Sequence, residues 1–370
     1  MAVKKDKNTG TWYFVLELGK DANGNRKQKR KRGFKTKKEA EAAFAETQDM
    51  LNKGTYIEPS KVTYKEFIGE WLKTKKINIG PQTFEIYQII VNTHIIPFLG
   101  GLSLQNIKTI HIQNLVNDLV EKGYASDSVR KIHAVIRNTL EYASEDLKLI
   151  PINPAKKIVL PKKKSSTEIT VWNEDQLKAF LGVAKHERTY NIFVLAIFTG
   201  MRQGELLGLS WKDVDLDGRT LKVTQTLKGD AKEIMKGAKS KTSIRTIPLN
   251  EFSINALKEQ KRLQEKEKNE IGIAYNQENL VFCSEVGTPI HRSNLRRVYN
   301  RLIKEANVPK IRFHDLRHSH ATYLLSKGVN IKVISERLGH SDIKITLNTY
   351  SHVGESMQKE VIEKLDHLIN

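Results

Sequence analysis

The chain has a single cysteine, Cys283. No disulfide can form within it, so its stability must come from packed cores, and one thiol suits a reducing compartment. Cys283 sits in Leu280-Val-Phe-Cys-Ser, an apolar run in which it reads as a small buried hydrophobe. No apolar stretch approaches the roughly 20 residues that a membrane-spanning helix needs. No signal-peptide apolar segment stands at the N-terminus. The expectation is a cytoplasmic protein with no membrane partner. Glycine-rich Walker and dinucleotide patterns are missing, as are internal repeats. Acid is also scarce: 42 Asp and Glu face 62 Lys and Arg, a formal net charge of +20. Such a field captures polyanions, which makes nucleic acid the leading partner and an acidic membrane surface a weaker second.

What is present divides into three segments, enough chain for two to three domains. From Arg26 to Lys38 there is no acidic residue. That stretch follows a strand-forming run, Thr11 to Leu18, and a turn at Asp21-Ala-Asn-Gly-Asn. It reads as a returning strand carrying Arg26, Lys27, Lys29, Arg30, Lys31 and Arg32. Thr36 with Glu39 forms a capping box for a helix from Lys37 to about Lys53. A small sheet backed by one helix is therefore expected over 1–59, its basic strand placed to lie in a DNA groove. The second segment, 62–155, carries a second capping box, Thr63 with Glu66. Helical patterns start there, at Pro81, at Thr109 and near Ser126, which predicts a small bundle. Lys73, Lys75, Lys76, Arg130, Lys131 and Arg137 on its polar faces are candidate backbone contacts. A proline-broken basic linker, 156–168, has the composition of a flexible strap.

The third segment, 169–370, mixes a buried helix over Asn191 to Phe198, strands at Thr220–Leu227 and Ser243–Leu249, and several later helices. Its residues suit phosphoryl transfer, which needs cations on the nonbridging oxygens, an in-line nucleophile and a proton for the leaving oxygen. Arg317 follows His314 by three residues, so one helix presents both on one face. Leu316, Tyr323 and Leu324 are expected to pack that helix while His314 and Arg317 look outward. Arg202 follows a Thr-Gly turn, with Glu205 three residues on as a structural partner. His340 follows a helix C-cap at Gly339, and Tyr350 ends a short amphipathic helix. His314, His318 and His320 also invite a zinc site. Aspartate at 315 replaces the HExxH glutamate, and an arginine beside a divalent cation would be repelled.

Taken together, these motifs resemble the tyrosine recombinase (phage integrase) family along essentially the whole chain. Thr199-Gly-Met-Arg-Gln-Gly-Glu-Leu-Leu-Gly-Leu matches the first arginine of that family, Arg202. His314-Asp-Leu-Arg-His matches its His-x-x-Arg pair, Leu338-Gly-His-Ser its second histidine, His340, and Tyr350 in Thr346-x-x-x-Tyr-Ser-His its nucleophile. The family's lysine precedes an Arg-x-Ile-Pro-Leu strand, which here points to Lys239 in Ala238-Lys-Ser-Lys-Thr-Ser. Departures on either side leave Lys241 as the alternative.

The resemblance implies a multidomain α+β protein. Its parts would be an arm-type, AP2-like domain of a three-stranded sheet plus helix, a helical SAM-like core-binding domain, and a mainly α catalytic domain with a small antiparallel sheet. It implies site-specific DNA recombination through a 3′-phosphotyrosyl intermediate, with no metal and no other cofactor. Double-stranded DNA carrying core-type and arm-type sites is the substrate. A homotetramer would be coupled by a C-terminal helix, Glu355 to Leu368, with Met357, Val361, Ile362, Leu365 and Ile369 on its stripe. An excisionase and a host DNA-bending protein are partners that relatives use. The competing classes are a type IB topoisomerase-like enzyme and a catalytically silent DNA-binding regulator.

Overall fold

A computed structural model describes residues 3–20, 24–53, 56–58, 60–163, 170–228, 233–236, 244–276, 278–340 and 342–350. The chain forms two compact units, residues 1–165 and 166–370. Among the described residues no helix is long and apolar enough to cross a membrane.

The first unit opens with an antiparallel sheet of β1 (Val3–Lys5), β2 (Trp12–Lys20) and β3 (Arg26–Phe34), in that order. Phe14 and Leu16 of β2 are fully buried, whereas their neighbours Tyr13, Val15 and Glu17 face the other way. The buried side packs on α1 (Lys37–Asn52), where Phe44 meets Phe14 edge to face. Thr36 and Glu39 form the expected capping box of α1, and Thr63 and Glu66 that of α2 (Tyr64–Asn78).

Beyond α2, a helix starts at Pro81 as predicted and runs on past Pro97. α3 (Pro81–Ile90) passes through a π turn, Val91–Ile95, into α4 (Ile96–Leu99). Pro97 has no N–H to give the carbonyl four residues back, and the widened turn just before it absorbs that loss. α5 (Thr109–Glu121) and α6 (Ser126–Glu141) complete the bundle. Tyr64, Phe67, Trp71, Ile112, Leu115, Ile132 and Ile136 fill its core.

The linker is less free than its composition suggested. Residues 153–161 are fastened to α5 and α6: His133 Nε2 bonds Ala155 O, Arg130 Nη2 donates to Pro161 O, and Gln113 pairs with both backbone groups of Val159.

In the second unit, α7 (Glu174–Ala184) starts at an Asn173 cap and packs beside α8 (Tyr190–Thr199). α8 is apolar nearly all round and is correspondingly buried. A short α9 (Gln203–Leu207) follows. The expected strand over Thr220–Leu227 is instead two. β5 (Thr220–Val223) joins β4 (Val214–Asp215) and β8 (Arg245–Pro248), whereas β6 (Gln225–Leu227) pairs with β7 (Ile234–Lys236). Thr224 breaks the run by donating its hydroxyl to Asp213 at 2.7 Å.

The remaining helices are α10 (Glu251–Ile271), α11 (Arg292–Glu305), α12 (Asp315–Ser326), α13 (Ile331–Leu338) and α14 (Ile343–Tyr350). Trp172, Phe180, Phe193, Tyr299 and Phe313 interlock in the core between them. The fold is thus an N-terminal three-stranded sheet, a helical middle region and a mainly helical C-terminal domain with small sheets.

One glycine joins fold to site. Gly200 ends α8 in the left-handed region at φ 65°, and a Cβ there would lie 2.7 Å from both His320 Cδ2 and Leu338 Cδ2. Gly200→Ala should therefore lower the unfolding free energy by more than the ~1–2 kcal/mol of left-handed strain alone. Gly182→Ala, on the open side of α7, should be neutral or stabilising by roughly 0.5–1 kcal/mol. Denaturant titrations of the two variants check this contrast in sign.

Candidate active site

Three backbone carbonyls around Gly200 and Gly339 organise the arginines. Arg317, from the first turn of α12, donates Nη1 to Gly200 O at 2.8 Å and Nη2 to Leu338 O at 2.6 Å. Arg202, the N-cap of α9, reaches Gly339 O with Nη2 at 3.3 Å and Glu205 Oε1 with Nη1 at 2.8 Å. Two guanidiniums separated by more than a hundred residues in sequence thus converge on one segment, Leu338-Gly339-His340. Gly339 makes this possible: it takes φ 67° as the C-cap of α13, and a Cβ on it would meet Arg245 Nη1 at 2.9 Å.

Arg317 departs from its expected outward position, because it is only 3% exposed. Two of its N–H groups hold the ends of α8 and α13 together. Tyr323, expected to pack α12, is instead 39% exposed. His314, at the N-cap of α12, does reach the surface, with its ring edge-on to His318 at 5.2 Å between centroids. Partial shielding, then the charges of His318 and Arg317, hold its imidazole down at about 4. His340 is half-buried, and its Nδ1 lies 2.7 Å from Thr346 Oγ1 on α14. Desolvation, then the Arg317 and Arg202 charges, bring its imidazole to about 4. Both rings are therefore neutral near pH 7. Asp315, where a zinc motif would carry glutamate, is occupied structurally by a two-pronged contact with Arg312.

Tyr350 closes α14 one helical turn after Thr346; its side chain lies outside the described residues. Lys239, Lys241 and the C-terminal segment from Glu355 to Leu368 also lie outside them.

A buried network missing from the expectations supports this cradle. Glu205 is 6% exposed and takes Arg245 Nη2 on Oε2 at 2.8 Å, besides its Arg202 contact. Arg245 Nε donates to Arg337 O at 2.7 Å, and Arg337 Nη2 donates to Phe198 O at 3.1 Å. Burial works against the Glu205 charge, but the Arg245 bond and the two arginine charges outweigh it and hold the carboxyl at about 2. The period-2 pattern of Arg245-Thr-Ile-Pro was the available signal, since it puts Arg245 on the inward face with Ile247.

The DNA-binding candidates of the first unit divide by face. Register places Arg32 opposite Tyr13 and Arg30 opposite Val15, on the sheet side away from α1. Arg26 shares that face by alternation, and the Arg30 guanidinium lies 4.8 Å over the Tyr13 ring. Lys31 and Lys29 pair with the buried Phe14 and Leu16 and so lie on the helix side. There Lys31 reaches Thr47, and Lys27 and Lys29 meet Glu58 at 2.7 and 3.4 Å. Within the bundle, Lys73 pairs with Glu70, Lys75 lies over Trp71 and Lys76 over Phe84. Lys131 and Arg137 are exposed, whereas Arg130 serves the linker.

Glu205→Gln should cost about 3 kcal/mol at neutral pH, because two arginines would face a neutral amide in a buried site. The folded carboxyl is depressed from 4.5 to about 2, so its contribution is full above pH 4.5 and lost as pH falls towards 2. Denaturant titrations of both proteins should show the gap narrowing across that window.

Comparison with known proteins agrees with this architecture. The phage integrase family matches residues 170–357, an arm DNA-binding domain matches 2–51, and a phage integrase N-terminal SAM-like domain matches 63–120. A "tyrosine recombinase XerC-like" protein of Caldanaerobacter subterraneus subsp. tengcongensis is 35% identical, the match covering 98% of this chain and 97% of the relative. The ICEBs1 integrase of Bacillus subtilis is 28% identical over 100% of both chains. Among solved structures, a Tn1549 transposon integrase fragment in complex with a circular intermediate DNA aligns with TM-score 0.68 at 20% identity, over 81% of this chain and 99% of that one. A lambda integrase, in a tetramer bound to a Holliday junction, aligns with TM-score 0.60 at 19% identity, over 94% of each chain. At those identities the structures establish the fold, whereas the family match and the full-length relatives establish kinship. The chain belongs to the phage integrase family of site-specific DNA recombinases.

Proposed function

We propose that this recombinase acts as an integrase, moving a mobile element into and out of DNA by strand cleavage and rejoining at attachment sites. The observation that carries the proposal is the convergence of Arg202 and Arg317 on the Leu338-Gly339-His340 segment. Two fixed guanidiniums beside two neutral imidazoles suit a phosphodiester, whose nonbridging oxygens gain charge in the transition state. The Tyr350 oxygen attacks the scissile phosphorus, the bond to the 5′-oxygen breaks, and a 3′-phosphotyrosyl ester forms. His314 takes the phenol proton or hydrogen-bonds the phosphate. His340, with Nδ1 engaged by Thr346, donates through Nε2. Lys239, or Lys241 in its place, gives the departing 5′-oxygen its proton. Attack by the 5′-hydroxyl of a partner strand reverses these bond changes, so the phosphoester energy is conserved without ATP.

The proposal divides the chain into an arm-binding domain (1–59), a core-binding domain (62–155), a linker (156–168) and a catalytic domain (169–370). Arg26, Arg30 and Arg32 are the favoured arm contacts, since they lie on the sheet face opposite α1. Four protomers would work together on core-type sites, coupled through the segment from Glu355 to Leu368. An excisionase and a DNA-bending protein would set the direction. The place of action is the bacterial cytoplasm, at the nucleoid.

The test is a suicide-nicked duplex built from the junctions of the native element, incubated without Mg²⁺ or ATP and run on a denaturing gel. A covalent protein–DNA band is expected from the wild type and not from Tyr350→Phe. Arg202→Ala should slow its formation roughly 10²–10³-fold, as loss of a transition-state donor does. Specific binding with no covalent band would leave a DNA-binding module.

A further inference from the structure

His320 belongs to the same motif as His314 and Arg317, yet the reaction above gives it no part. It is 7% exposed, and its Nδ1 lies 2.8 Å from Ile197 O. A carbonyl only accepts, so Nδ1 carries the hydrogen and the ring is the Nδ1–H tautomer. Burial, then the nearby Arg337 charge, holds the imidazole down at about 3, so it stays neutral throughout the working range. Among the described residues Nε2 has no hydrogen-bond partner. A residue kept solely for its polarity would not leave a buried lone pair unmet.

The ring's position gives the reason for its presence. His320 follows Arg317 by three residues, so both look from α12 towards the end of α8. Its Cδ2 edge fills the place where a Gly200 side chain would begin, 2.7 Å from that ideal Cβ. The Gly200 carbonyl in turn accepts Nη1 of Arg317 at 2.8 Å. Ile197 O, the imidazole, Gly200 and the Arg317 guanidinium therefore form one chain of contacts. A single rigid ring bonds the last turn of α8 at one edge and braces its left-handed cap at the other. Rotation of the Gly200 peptide would swing the carbonyl that aims Arg317. A displacement of about 1 Å at a phosphate clamp is enough to cost ~10²-fold in rate.

We infer that His320 is a positioning residue for Arg317: its Nδ1–H bond to Ile197 and its ring edge on Gly200 fix the carbonyl that orients the arginine towards the scissile phosphate. The inference rests on the phosphotyrosine reading of the site. It separates His320 from the zinc ligand that the histidine spacing first suggests, because among the described residues no three His, Cys, Asp or Glu side chains are grouped to hold a metal ion.

Three proteins and two substrates test it. His320→Phe keeps a ring against Gly200 but has no donor, whereas His320→Asn places an amide nitrogen near the former Nδ1. Single-turnover cleavage is measured on the suicide duplex with an ordinary scissile phosphate. It is then repeated with a methylphosphonate there, which removes the charge that Arg317 serves. Expected for His320→Phe is a loss of at least ~10-fold on the phosphate, duplex Kd within about 2-fold of wild type, and a defect below ~3-fold on the methylphosphonate. His320→Asn, which restores the donor but not the ring edge, should recover part of the rate. An equal loss on both substrates would reduce His320 to a general packing residue and overturn the inference. So would an unchanged rate for His320→Phe, or a His320→Asn rate as low as that of His320→Phe. Should the phenylalanine variant not fold, His320→Gln, whose nitrogen falls near the former Nε2 instead, supplies the same comparison. If the wild type forms no covalent product on the phosphate duplex, the reading of the site itself fails. Wild-type cleavage with unaltered variants sinks only the role of His320.

Discussion

Glu205 is a carboxylate buried between two arginines, and the catalytic unit is arranged around the need to satisfy it. Isolated in the interior, a carboxylate would cost several kcal/mol or take up a proton. Here Arg202 comes from the N-cap of α9 and Arg245 from β8, and both settle on it. Arg245 also donates Nε to the Arg337 carbonyl, which fixes the end of α13. The same carboxylate therefore aims one candidate catalytic arginine and braces the segment that presents His340. A pair with one partner half-exposed and one fully buried is suited to this: the inner arginine anchors the charge, and the outer one keeps a side turned to solvent.

The proposed function follows from placing cations before any phosphate arrives. Arg317 holds two carbonyls, Arg202 holds a third, and the two imidazoles nearby are kept neutral by burial and by those very charges. In the proposed reaction such preorganisation is where electrostatic catalysis gains most. The same cations disfavour a divalent metal in their midst. In the first unit, strand alternation makes a comparable choice. Arginines with an aromatic neighbour line the open sheet face, and lysines on the opposite face are met by Glu58 and Thr47.

Much of this was legible in the residues because it is local. The capping boxes at Thr36 and Thr63, the apolar α8 and the C-terminal glycine of α13 each follow from a few neighbouring side chains and the helical repeat. The motif residues were legible as types, since phosphate recognition narrows the choice to arginine, histidine and lysine. Less visible was the continuation of the α3 helix past Pro97, which a π turn accommodates. The split of the β5–β6 run also escaped, because it depends on Asp213 meeting Thr224 across a loop. Composition alone likewise made the linker look loose, whereas Ala155, Val159 and Pro161 are tied to helices that precede them by tens of residues.

The sequence by itself determined the charge that selects a polyanion, the extents of most helices, and a set of residue types competent for phosphotyrosine chemistry. Each depends on composition or on contacts within one or two turns. Only the tertiary structure decided that Arg317 is buried rather than outward, that Glu205 and Arg245 form the inner support, and that His320 braces Gly200. Those assignments rest on partners 21 to 123 residues apart, and no local periodicity records which carbonyl a guanidinium will meet. A buried donor takes whichever acceptor the packing brings to it, so its role is fixed only when α8, α9, β8, α12 and α13 close on one another.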